Sequence, residues 1–396
     1  MAKGRLIGVF VLLSMLLFSC GIKTSEEDVD NARTASSHVE KVKASREPKE
    51  QVEVKQEIAI TAIGDMLIHS SVYDDAWNDT GYDFTPMLEK VKPFISDATI
   101  SIANQETMIG GTELGLSTYP AFNSPQEVGD ALKWAGVNVV SLANNHTLDR
   151  GEEAIQRAIQ HWETIDMMYT GSYKSEQDRE ELRVMETEEG VSVAFLSYTY
   201  GTNGIPVPEG KGYLVNLIDQ ELIASEIEAA KKKADVIVLS LHVGNEYERM
   251  PNQAQKDLVQ FVADQGADVV LGHHPHVLQP VDWVIGEDGN RTLVIYSLGN
   301  FLSGQDEFYR QIGGVFKFHV TKTLSDGKTE IEVHSPEFLP TYVKYEQGRG
   351  YEVIPMFQLT NQELPNAHNH YEEIKAHMSQ WVPELKFIEN EKEDES

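Results

Sequence analysis

Three imidazoles fall within four positions at Gly272-His273-His274-Pro275-His276. They follow directly on Ala267-Asp268-Val269-Val270-Leu271. That run is β-branched and too short for a helix, so it reads as a buried strand. In an open α/β sheet, ligands gather beyond the carboxyl ends of the strands. A His-x-His there can turn two ring nitrogens toward one ion or toward two neighbouring ions. Pro275 stiffens the turn between them. The chain holds 13 histidines, so an isolated pair would mean little, but three in four at a strand end read as a site.

Five more apolar runs end in polar residues able to join it. Residues 58–63 lead to Gly64-Asp65, and residues 98–103 to Asn104-Gln105-Glu106. Residues 137–142 lead to Asn145-His146, 235–241 to His242 and Glu246, and 292–296 to Asn300. Taken singly, Asp65 would serve as a turn residue. Asn145 would cap a helix, His242 would be a satisfied buried histidine, and Glu246 would be a surface carboxylate. Together they form the ligand set of a dinuclear metal site. Carboxylate, amide oxygen and imidazole suit divalent Mn, Zn, Fe or Mg, and with one cysteine in the chain a thiolate site is excluded. Two such ions clamp an anionic group and acidify a bridging water. His146 beside Asn145 is the candidate acid for a leaving group.

The elements that must position these residues alternate. Strands are expected at the runs above and at 191–198. Helices are expected at 84–95, 151–163, 219–233, 253–265 and 370–381, with another running to Trp134 from an N-cap at Ser124. This pattern predicts an α/β fold. Beyond about Ser303 the texture becomes β-rich, with a hairpin across Ser325-Asp326-Gly327-Lys328. Hydrophobic residues make up 41% of the 396, enough for a packed core. The net charge of −30 argues against nucleic acid as a partner. It also disfavours binding a polyanion, unless metal ions or a local basic patch reverse the sign.

The motifs Gly64-Asp65-Met66-Leu67, Asn104-Gln105-Glu106, Asn144-Asn145-His146-Thr147-Leu148-Asp149, His242-Val243-Gly244-Asn245-Glu246-Tyr247, Gly272-His273-His274-Pro275-His276 and Ser297-Leu298-Gly299-Asn300-Phe301 occur in family order. Across 58–301 the chain resembles the CapA family of bacterial poly-γ-glutamate capsule proteins, which is similar in fold to the calcineurin-like metallophosphoesterases. The resemblance implies a layered α/β sandwich with mixed sheets over 58–304; beyond it, 305–396 reads as a β-rich extension packing on the same domain, with an acidic, frayed end over 389–396. It implies that Asp65, Glu106, Asn145, His242, His274 and His276 hold metal and that His146 is catalytic. His69, Asn104, Glu246, His273 and Asn300 are possible additions. Leu67 stands at the second ligand position of the phosphoesterase motif, Glu106 stands in place of that motif's bridging aspartate, and Val243 replaces the family's usual tryptophan. These departures leave one or two ions open. The implied function is making, exporting or anchoring poly-γ-glutamate with a membrane synthase. The alternatives are a metal-dependent hydrolase of a phosphoester or γ-glutamyl amide, and a non-catalytic polymer- or solute-binding lipoprotein.

The beginning of the chain reads as an address. Lys3 and Arg5 precede an apolar stretch, 6–18, too short to span a bilayer comfortably. Leu17-Phe18-Ser19-Cys20-Gly21 resembles a lipobox, and Cys20 is the sole cysteine. The expectation is a signal peptide over 1–19, a lipidated Cys20, and a charged, aromatic-free tether to residue 57. The protein would then be held by lipid on the extracytoplasmic face of the cell membrane. Cys20→Ala should abolish lipid labelling and release the protein from the membrane fraction, and unchanged labelling would refute lipidation.

Overall fold

The computed structural model describes residues 53–390. The expected signal peptide, Cys20, the tether up to residue 52 and the tail from 391 lie outside the described residues. In chain order the strands are β1 (Val54–Leu67), β2 (Ile100–Asn104), β3 (Val139–Ser141), β4 (Met168–Thr170), β5 (Arg183–Glu186), β6 (Ser192–Thr199), β7 (Val236–His242) and β8 (Val269–His273). There follow β9 (Leu278–Ile285), β10 (Arg291–Leu298), β11 (Asn300–Ser303), β12 (Ile312–Ser325), β13 (Lys328–Glu346), β14 (Arg349–Pro355) and β15 (Lys386–Phe387). The helices are α1 (Ser70–Ala76), α2 (Thr85–Leu88), α3 (Lys92–Ser96), α4 (Glu127–Ala135), α5 (Gly151–Thr164), α6 (Glu176–Glu180), α7 (Gln220–Ala230), α8 (Gln253–Asp264) and α9 (Ala367–Met378).

Alternation along the strands decides the layers. In β7, Val236 and Val238 face one way and Ile237, Leu239 and Leu241 the other, and all five are buried. Burial on both faces is what a parallel strand covered on each side requires. Val236 and Val238 join Phe195, Leu271 and Ile295 against Ile58, Ile60, Ile102, Phe316 and Phe318 of a second sheet. Ile237, Leu239 and Leu241 pack under Ile223 and Ile227 of α7 and Val259 and Val262 of α8. On the far side, Ile63, Ala103 and Val140 are covered by Leu132 of α4 and by Ile155 and Ile159 of α5. The molecule is therefore an α/β sandwich of helix, sheet, sheet and helix. Each large aliphatic side chain buried this way contributes about 1.5–3 kcal/mol.

Both sheets are mixed. One runs β14-β13-β12-β1-β2-β3-β4, with β11 pairing β1 and β15 pairing β13; the other runs β5-β6-β7-β8-β10-β9. Strands β1, β2 and β3 are parallel in the first. Strands β7, β8 and β10 are parallel in the second. Strand β4 continues the parallel run in the first and β6 in the second, and the polar residues gather where β1, β2, β3, β7, β8 and β10 end. The β-rich segment after residue 305 is part of the first sheet, because β12 pairs antiparallel with β1 from Val54↔Leu324 to Ile63↔Val315.

Several expectations change. The tether ends before residue 57, since Val54 to Glu57 are already paired in β1. The helix expected at 84–95 is two short ones, α2 and α3. Pro93 has no N–H to continue a helix and sits instead in the first turn of α3. Ser124 does not cap α4, which begins at Glu127; its hydroxyl donates to Thr107 Oγ1. Glu389 is not frayed, because it accepts from the Tyr371 hydroxyl and Lys375 Nζ. Strand β9 carries Pro280 and escaped the apolar pattern, which the edge of a sheet tolerates. The hairpin turn is as expected, with Asp326 and Gly327 at φ 51° and 76°.

Two glycines set how closely the strands approach at the polar edge. A Cβ on Gly64 would lie 2.1 Å from Gly299 O, and one on Gly272 would lie 2.0 Å from Tyr296 O. Gly64→Ala and Gly272→Ala should each lower stability by about 1–3 kcal/mol in chemical denaturation. Wild-type midpoints would show that the strands can part without loss.

Candidate metal centre

Asp65 lies inside β1 rather than beyond it, since pairing with β11 (Asp65↔Asn300, Leu67↔Ser303) carries the strand on to Leu67. Leu67 is buried and apolar, and offers no ligand atom. The Asp65 carboxylate is wholly buried. Asn104 Nδ2 donates to its Oδ1 at 2.8 Å. The Nδ1–H of His276 is shared between Asp65 Oδ2 and Asn300 Oδ1, 3.1 Å from each. His273 Nδ1 stands 3.5 Å from Asp65 Oδ1. A carboxylate and an amide thus fix the tautomer of His276 and leave its Nε2 facing Glu106 Oε1 at 3.7 Å.

Glu106 is the unusual group. It is completely buried, and neither carboxylate oxygen accepts a hydrogen bond among the described residues. Ligand atoms of Glu106, His274 and His276 all lie within 4.8 Å of one another. His242 Nε2 is 3.6 Å from Glu106 Oε1 and 2.9 Å from Asn145 Oδ1. Asn104 Oδ1, His273 Nδ1 and His274 Nδ1 are also buried without a partner. Backbone strain marks the same place: His274 and His276 hold φ of 96° and 58°, left-handed values that a histidine adopts only when its surroundings impose them.

Electrostatics agree with a cation-binding role. Burial pushes the Glu106 carboxyl well above the usual carboxylate range. Burial would raise Asp65 too, but the hydrogen bond from His276 and the nearby ring of His273 outweigh it and hold Asp65 well below. Burial drives His242 well down and His274 down to about 3, leaving both rings neutral with lone pairs available. His276 moves the other way, to about 9, because Glu106 and Asp65 outweigh its burial. A divalent ion would take the place of that proton. The oxygen and nitrogen donors, buried together and several without partners, fit such an ion.

His146 stands apart from this group. Its Nδ1–H donates to Asp149 Oδ2 at 2.7 Å, and the same oxygen accepts from the Phe122 N–H at 2.8 Å. The ring lies edge-on to Phe122, and its Nε2 has no hydrogen-bond partner among the described residues. His69 does not join the converging ligand atoms. Its Nδ1 sits 3.0 Å from Leu67 O and 3.2 Å from the Gly304 N–H, and burial lowers its pKa to about 4. Glu246 is exposed at the rim and acts on Glu106 only through space. Asn300 orients His276 while its own Nδ2 donates to Gln305 Oε1 and Arg310 O.

Three neighbours carried no assigned role in the sequence reading. Asp149 orients His146, and its three-residue spacing was the available signal. Asn203 Oδ1 accepts from Asn145 Nδ2, from a loop with no motif beyond Asn-Gly. Tyr200 packs its ring 4.7 Å from that of His274.

The bacterial capsule synthesis protein family PGA_cap matches residues 59–305. The PGA biosynthesis protein CapA of Bacillus subtilis is 31% identical over 54% of this chain and 55% of its own length. The capsule biosynthesis protein CapA of Bacillus anthracis is 28% identical over 67% of this chain and 64% of its own. The match therefore spans less than two thirds of either relative. Among solved structures, a candidate 5'-nucleotidase from Staphylococcus aureus, in complex with alpha-ketoglutarate, has a TM-score of 0.42 at 16% identity, covering 80% of this chain and 58% of that one. A likeness that distant carries no weight for the chemistry.

Binding to the folded state alone stabilises by mass action, about 2.7 kcal/mol at a hundredfold excess over Kd. Manganese or zinc should therefore raise the melting temperature of the wild type and barely move that of His274→Ala. His146→Ala and Asp149→Asn should bind metal like the wild type, as read by metal analysis. Equal metal content in His274→Ala and wild type would remove His274 from the ligand set.

Proposed function

The chain belongs to the PGA_cap family of bacterial capsule synthesis proteins, and from that premise we propose that it is a lipid-anchored component of poly-γ-glutamate capsule assembly, with a metal centre that acts on the anionic polymer. Glu106 carries the reading. A carboxylate buried without hydrogen bonds beside His274 and His276 is costly unless a cation meets it, and it lies within the family-matched region. Glu106, His274, His276, His242 and Asn145 would hold the metal, with Asp65, Asn104 and Asn300 orienting them. A bound divalent ion would supply Lewis-acid polarisation of a carbonyl or phosphoryl oxygen.

The residues of the chain do the remaining work. Asp149 fixes the tautomer of His146 so that Nε2 can take or give a proton at the reacting group. Phe122 holds that ring edge-on. Tyr200 covers His274 and limits water at the cluster. Binding alone requires neither His146 nor its Asp149 partner, so the dyad favours hydrolysis, of a γ-glutamyl amide or a phosphoester, over a purely structural metal. The membrane synthase is the proposed partner.

A strain lacking its own copy of this gene tests the reading by complementation. His146→Ala, which leaves the metal ligands untouched, should lower capsule output about 100-fold or more, the usual worth of a proton-transferring side chain. His274→Ala should fail as well. Full capsule with His146→Ala but none with His274→Ala would make the metal a structural or polymer-bridging element.

A further inference from the structure

Arginines stand at the rim of this centre in a chain whose net charge is −30. The Arg310 guanidinium lies 3.6 Å from the centre of the Tyr247 ring. That of Arg249 lies 3.9 Å from the Tyr309 ring. The two pairs are reciprocal: the loop after β7 offers Tyr247 and Arg249, and the turn before β12 offers Tyr309 and Arg310. Each cation on an aromatic face is attracted by the ring quadrupole and held flat.

The two cations are not equivalent. Arg249 Nη1 is tied to Glu373 on α9 at 2.8 Å, which makes it a brace. Among the described residues Arg310 Nη2 pairs only with Glu307, three residues back and 68% exposed, at 3.0 Å. Exposed pairs of that kind are weak and readily exchanged. The Nε of Arg310 is buried without a partner. The backbone at this position is also bound to the cluster, since Asn300 Nδ2 donates to Arg310 O at 2.8 Å while Asn300 Oδ1 faces His276. The Tyr247 ring lies 6.2 Å from the ring of His276. A planar cation with unused donors is thus stacked on a ring that itself neighbours the cluster. Arg310 lies beyond the family-matched residues, which end at 305.

We propose that Arg310, stacked on Tyr247 beside His276, is the anion-recognising residue of the site and takes a carboxylate or phosphate oxyanion of the substrate through its guanidinium. The inference rests on the metal-centre reading above and adds the group that gives an acidic chain a local positive contact. Glu307 occupies that contact in the absence of ligand and leaves when an anion arrives.

The test uses the full chain loaded with manganese. A γ-linked glutamyl oligomer and, separately, inorganic phosphate are titrated into wild type, Arg310→Gln, Arg310→Lys and Glu307→Gln. Arg310→Gln should weaken whichever anion the wild type binds by roughly tenfold or more, the worth of a charge-assisted hydrogen bond. Arg310→Lys should recover part of the loss, as a point charge without the planar fork. Glu307→Gln should tighten binding about twofold, the effect of removing a weak exposed competitor. Metal content and melting temperature should stay at wild-type values. Equal affinity in Arg310→Gln and wild type would overturn the proposal, and so would a loss accompanied by falling metal content, which would make Arg310 a prop for the rim. A wild type that takes neither anion would sink the acidic-substrate reading itself, a result distinct from an indifferent Arg310.

Discussion

A carboxylate that is fully buried and accepts no hydrogen bond is the constraint on which this structure turns. An ionised carboxylate so placed costs several kcal/mol unless a positive group meets it. Around Glu106 the candidates are imidazoles, and burial keeps two of them, His242 and His274, neutral. The neighbouring carboxylate, Asp65, is held low by its histidine partners while Glu106 is driven high. Two acids side by side with opposed tendencies lie beside two neutral imidazoles and a third, His276, that holds its proton, and a divalent ion would take the place of that proton. The strained backbone at His274 and His276 supports the same reading, because only rigid surroundings hold a histidine at positive φ.

The sandwich supplies that rigidity. Each sheet brings three parallel strands to the polar edge, and the bonds of the site run between the sheets: Asn145 to His242, and Asp65 to His276. The core between the sheets fixes their separation through residues such as Ile60, Phe195, Val238 and Phe316. Where β1 and β8 meet the β10–β11 corner, Gly64 and Gly272 allow contacts that no side chain would. The groups therefore cannot drift apart to relieve the buried charge, which is how a fold maintains a functional site against its own stability.

Much of this was legible in the sequence because each polar residue follows directly on an apolar run. The strand ends at Asp65, Asn104, Asn145, His242, His274 and Asn300 needed only a short apolar run and a change of polarity to be found. The Asp326-Gly327 turn was readable from local chemistry alone. What stayed hidden depends on tertiary contact. Pro93 splits what looked like one amphipathic helix. Pro280 disguises β9, which survives because it lies at a sheet edge. His69 was a possible addition to the ligand set, yet its Nδ1 is committed to the chain turn at Leu67 and Gly304. The stacking of Arg310 on Tyr247 joins two loops far apart in sequence, and no spacing rule would have paired them.

The central claim is that these strand ends build a divalent-cation site centred on Glu106. A crystal structure of the manganese-loaded protein with anomalous data tests it most directly. The account predicts an anomalous peak within coordination distance, about 2.0–2.3 Å, of Glu106 and of ring nitrogens of His274 and His276. A loaded crystal with no peak there, and with Glu106 still unpartnered among the histidines, would contradict it.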